Sequence, residues 1–134
     1  MNALPLAGGW DRTTGAISAD LDAEVDQAFA NVDANLRHAG GRGWPQVYRV
    51  ATYSTDIRGT HDAVVRNLRR WMPDGEDGAP KPKPVWTEIG VAALGLDTMH
   101  FEIEVEAFDP EGAAKPREEE RETANEKGPP SAAK

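Results

Sequence analysis

The 134-residue chain contains no cysteine. That absence excludes disulfides, thiolate metal sites and a cysteine nucleophile. Histidine is almost as scarce: His38, His61 and His100 are the whole supply, too few for a histidine-rich metal centre. Positive charge is short as well, with 15 Lys and Arg against 23 Asp and Glu and a formal net charge of −8. Neutralising phosphates needs a Lys- or Arg-rich face, so no nucleic-acid partner is expected. No apolar run is long enough to span a bilayer, and no basic start followed by an apolar stretch marks a secretion signal. No membrane association is therefore expected, and a cytoplasmic location is. Gly8 and Gly9 are not followed by the lysine-serine pair of a phosphate loop, and no Ser-His-acid arrangement stands out. Neither a cofactor nor a bound metal is expected.

What remains is enough for one domain. Hydrophobic residues make up 39% of the chain, a globular value. The folding pattern stops near Pro110. The run EGAAKPREEERETANEKGPPSAAK has no aromatic residue and almost no β-branched one, so ordering it would cost entropy without burying anything. A domain over residues 1–108 and a charged, disordered tail over 109–134 are expected.

Within the domain, LPLAGGWDRTTGAIS reads as two short strands joined at Asp11–Gly15, where Gly15 supplies the positive φ of a tight turn. Leu21, Val25, Ala28, Phe29, Val32, Leu36 and Ala39 recur at helical spacing. Asp20, Asp22 and Glu24 suit the N-terminus of this helix, Arg37 and His38 its last turn, and Gly40 stops it, as the helix dipole and an αL cap favour. QVYRVATYSTD is rich in β-branched and aromatic residues and reads as a strand. A second helix is expected from about Thr60 to Met72, ended by Pro73. PVWTEIGV alternates, with Val85, Thr87 and Ile89 on one side and Trp86 and Glu88 on the other. The turn LGLDT is expected to close a hairpin. The order strand, strand, helix, strand, helix, strand, strand implies an α+β fold, a single mixed sheet with two helices on one face.

The last strand, HFEIEVEAF, puts Glu102, Glu104 and Glu106 on one side and Phe101, Ile103, Val105 and Ala107 on the other. The apolar side suits the helices. The acidic side falls on the bare face of the sheet, which is expected to carry Trp86 too and to be covered by other subunits. Arg49, on the middle strand, is placed to neutralise one glutamate or to bind a ligand. Trp10 with Gly8 and Gly9 marks a possible pocket edge.

The stretch DAEVDQAFANVDANLRHAGGRGWPQVYRVATYSTDI, followed by VRNLRRWMPDG and PVWTEIGVAALGLDTMHFEIEVEAF, resembles the RidA/YjgF family, known as reactive-intermediate imine deaminases or L-PSP endoribonucleases. The resemblance runs from about Gly8 to Phe108 and implies a chorismate-mutase-like barrel of a homotrimer, with small-molecule pockets between subunits. It also implies that Glu102 orients a catalytic water. Trp86 stands where active imine deaminases have a carboxylate-binding arginine, and Glu88 where the family often has cysteine. A tryptophan offers a flat wall and one N–H, not a charge. The implied ligand is therefore neutral, aromatic or cationic, bounded by Trp86, Glu88, Trp10 and Arg49, with imine or enamine chemistry on a specialised metabolite. A non-catalytic ligand-binding or interaction trimer is the alternative, and an endoribonuclease the weaker one.

Overall fold

The computed structural model describes residues 2–3 and 6–113. Seven elements form the domain: β1 (Asn2–Ala3), β2 (Leu6–Gly8), α1 (Leu21–His38), β3 (Val47–Ser54), α2 (Ile57–Trp71), β4 (Val85–Gly90) and β5 (Phe101–Phe108). A short helix, α3 (Pro110–Ala113), follows. The rest of the expected tail, 114–134, lies outside the described residues.

The sheet runs β1–β5–β3–β4, and β2 shares with β1 the outer edge of β5. β3 pairs antiparallel with β5 but parallel with β4, which makes the sheet mixed. The hairpin expected between the last two strands does not form. α2 carries the chain across to lay β4 beside β3, as a parallel pair requires, and residues 91–100 then cross back so that β5 enters on the other side of β3. The opening segment likewise closes differently. Asp11 accepts backbone hydrogen bonds from Thr13 and Thr14, and Gly15 turns at φ 75°, but among the described residues only Trp10 and Ile17 pair across this turn.

Both helices start on an aspartate. Asp20 accepts from Ala23 N at 2.9 Å, and Asp56 accepts from Gly59 N at 3.0 Å. They cover one sheet face, where Val25, Phe29 and Val32 meet Val50, Phe101, Ile103 and Val105. Trp44 seals this core. Its ring stacks on Phe29 at 4.8 Å, and its Nε1 donates to the Phe29 carbonyl at 3.0 Å, so a bulky indole is buried without an orphan donor.

Candidate functional site

The open face of the sheet is set by register. Glu102, Glu104 and Glu106 oppose Tyr53, Ala51 and Arg49 on β3, and Glu104 and Glu102 also oppose Leu6 and Gly8 on β2. Cross-strand partners share a face, so all three carboxylates stand together on the side away from the helices. Their surroundings differ. Glu106 accepts from Tyr48 Oη at 2.8 Å and pairs with Arg49 at 2.8 Å. Those contacts, the Tyr48 hydrogen bond first, hold its carboxyl below the usual range. Glu104 accepts from Tyr53 Oη at 3.3 Å, and partial burial together with this carboxylate pushes the tyrosine hydroxyl up. Among the described residues, Glu102 alone of the three makes no hydrogen bond or ion pair.

Two buried polar side chains of α1 fix the backbone on either side of Glu102. Glu24, fully buried, accepts from His100 N at 2.7 Å and from Phe101 N at 3.1 Å, and its other oxygen lies 3.2 Å from His100 Nδ1. This anchors the start of β5. Asn31, also fully buried, donates from Nδ2 to the carbonyls of Gly8 and Trp10, both at 2.8 Å. This anchors β2 and the turn beyond it. Gly8 leaves room for the Trp10 ring, which occupies the space a β-carbon there would take. Since Gly8 is the partner of Glu102, Trp10 sits at the margin of the glutamate's surroundings.

The expected grouping of Trp86 and Glu88 with Glu102 is not what the chain adopts. Trp86 pairs with Val50 and Glu88 with Thr52, residues whose side chains face the helices. Trp86 packs against the core, donates from Nε1 to Thr52 Oγ1 at 3.0 Å, and stacks with His61 of α2 at 5.8 Å. Glu88 Oε2 lies 2.9 Å from His61 Nδ1, while its buried Oε1 has no partner among the described residues. The sequence fixes which β4 residues alternate but not which set turns inward. The β-branched trio Val85, Thr87 and Ile89 looked like the core side, yet Val85 is 69% exposed. On an edge strand only one helix covers the inner face, and the indole of Trp86 fills that partial cover better than a valine would. Arg49, four residues along β3 from Tyr53, is engaged by Glu106 and is not beside Glu102.

The sequence reading missed His61. On a helix otherwise read as amphipathic packing, a lone exposed histidine carried no signal until β4 brought Glu88 and Trp86 against it. The result is two half-sites on opposite faces of one chain: a free carboxylate framed by Trp10 and Tyr53, and an edge cluster of His61, Trp86 and Glu88. No helix among the described residues is long and apolar enough to cross a membrane.

A titration follows from the contacts of Glu106. A carboxyl lowered by folding adds stability above its unfolded pKa and loses it as pH falls through the folded value. NMR of the Glu106 side chain is expected to give a midpoint below that of a free glutamate, and Arg49→Ala to move it upward. A wild-type midpoint at the free value would contradict these contacts.

Residues 2–108 match the sequence profile of a family described as Endoribonuclease L-PSP. Among curated proteins, none matches the chain in sequence. A solved structure of the protein YjgH is 27% identical, covers 81% of this chain and 78% of its own, and superposes with a TM-score of 0.66. The YjgF gene product from E. coli is 21% identical, with 79% of each chain covered and a TM-score of 0.65. RidA from an Antarctic Psychrobacter species is likewise 21% identical, with coverage of 81% and 80% and a TM-score of 0.66. The latter two likenesses, at that identity, establish the fold alone.

Proposed function

Because the chain belongs to the Endoribonuclease L-PSP family, the group also called RidA/YjgF, we propose that it forms homotrimers and binds a small molecule between subunits. The observation that carries this reading is the unpartnered Glu102 carboxylate on an uncovered sheet face. Leu6 and Val85 lie on that face at 51% and 69% exposure, an apolar surface that a neighbouring copy would bury. In the proposed cleft, Glu102 of one copy faces the edge cluster of His61, Trp86 and Glu88 of the next. One chain holds these groups on opposite faces, so only a second copy can unite them.

The chemistry proposed is hydrolysis of an imine, enamine or related electrophile of a specialised metabolite. Glu102 takes a proton from water as the water oxygen bonds to the imine carbon, and the C=N π pair moves to nitrogen, which takes a proton from His61 of the His61–Glu88 pair. Collapse of the carbinolamine forms the carbonyl and expels the amine. In this collapse the Glu102 carboxylic acid protonates the departing nitrogen and His61 takes the carbinolamine hydroxyl proton, so both groups return to their starting states. Recognition of a substrate carboxylate is not part of this reading. The Trp86 N–H is already donated to Thr52, and the free oxygen of Glu88 repels an anion. A neutral or cationic aromatic substrate suits the indole wall.

An imine-trapping assay tests this. The protein is expected to accelerate loss of carboxylate-free imines released by an amine oxidase, read as reduced semicarbazone, and to leave 2-imino acids from an amino-acid oxidase almost untouched. The reverse preference would overturn the substrate class. Binding of amines by calorimetry with no acceleration of either imine would instead favour a non-catalytic ligand-binding trimer.

A further inference from the structure

At the end of the sheet away from Glu102 lies a cavity of about 930 Å³, lined on one side by Val47, Tyr48 and Phe108 and on the other by Trp71 and Met72. Its size is that of a site for a small organic molecule. Three prolines, Pro45, Pro73 and Pro82, stand in its walls and restrict the backbone there, so the space is preformed rather than opened by the ligand. The charge of the lining is what distinguishes it. In a chain of net charge −8, the ionisable lining residues are Arg42, Lys81, Lys83 and Tyr48, and none of the lining residues is acidic.

The acids nearby neutralise this rim only in part. Lys83 pairs with Asp74 at 2.9 Å and also donates to the Met72 carbonyl. Arg42 reaches Glu111 only at 3.8 Å, with both side chains largely exposed. The Lys81 backbone N–H donates to Asp74 Oδ1 at 3.4 Å and its ammonium acts on that carboxylate through space, but it makes no direct ion pair among the described residues. Trp71 also carries a buried indole N–H with no acceptor among the described residues.

We propose that this cavity binds a small organic anion: an apolar, ring-sized body held between Phe108, Tyr48, Met72 and Trp71, with an acidic head at Lys81 and Arg42. The site is separate from Glu102 and stands whether or not the imine chemistry does. Each half of the ligand adds to the affinity. An inorganic anion leaves the apolar walls wet, and a neutral hydrocarbon leaves the cationic rim unmatched.

The test uses two fluorescent probes of nearly the same body, 8-anilinonaphthalene-1-sulfonate and its uncharged analogue N-phenyl-1-naphthylamine, titrated into the full chain. The sulfonate is expected to bind saturably at one site per chain. The double variant Arg42→Ala/Lys81→Ala is expected to weaken it about tenfold while changing the uncharged probe by less than about twofold. Both substitutions are at exposed side chains, and an unchanged melting temperature checks that the variant folds. Glu102→Gln is expected to leave both affinities alone. Equal loss for the two probes, no saturable binding, or sulfonate affinity unaffected by the double variant would each overturn the proposal.

Discussion

Glu24→Ala lowers the free energy of unfolding by about 3–4 kcal/mol and the melting temperature by roughly 10–15 °C. The carboxylate is fully buried, and its oxygens receive the His100 and Phe101 amides and approach the His100 ring. Alanine removes these acceptors together and leaves buried N–H groups facing a void. Glu24→Gln keeps one acceptor oxygen and a similar volume, so about half the loss is expected. Thermal unfolding followed by circular dichroism reads both. A Glu24→Ala protein that melts within a degree or two of wild type would show that the start of β5 is held by its ladder alone. The effect reaches the proposed site, because Glu102 directly follows the anchored Phe101 amide.

Glu102→Gln is expected to reduce imine turnover by about 10²- to 10⁴-fold, the range that general acid–base groups supply. Among the described residues Glu102 has no ion-pair or hydrogen-bond partner, so the amide should leave stability nearly unchanged. Glu104→Gln, beside Tyr53, is the internal control and should change turnover far less. Similar losses for both would mean that the whole acidic face sets a field and that no single carboxylate handles the proton.

How far the sequence spoke for itself depends on the element. The period of the α1 stripe and the alternation of Phe101–Phe108 are local signals, and each led to the element observed, whereas α2 starts at Ile57 on its Asp56 cap and not at about Thr60. The polar anchors were invisible for the converse reason. Glu24 reads as an acid complementing a helix N-terminus, and Asn31 as a residue between apolar turns. Only the approach of His100–Phe101 and Gly8–Trp10, distant in sequence, buries them. β4 shows the limit most clearly. Alternation separated Trp86 and Glu88 from Val85, Thr87 and Ile89 correctly, but the inward set depended on the parallel register with β3 and on α2 lying above it. His61 became meaningful through the same register. The candidate site was therefore half legible: Glu102 with Trp10 on one face could be read, and the partition of Trp86 and Glu88 to the other could not.

The central claim is that Glu102 and the His61–Trp86–Glu88 edge act on one ligand because they come from different copies of the chain. Mixing subunits tests it directly. Glu102→Gln and Trp86→Ala/Glu88→Gln proteins, each inactive alone, are unfolded together, refolded and assayed for imine turnover. If clefts are shared, random assembly of a ring leaves about a quarter of them with every native group, and activity returns to about that fraction of wild type. If the mixture stays as inactive as its components while assembling normally, the two half-sites do not meet and the account is wrong.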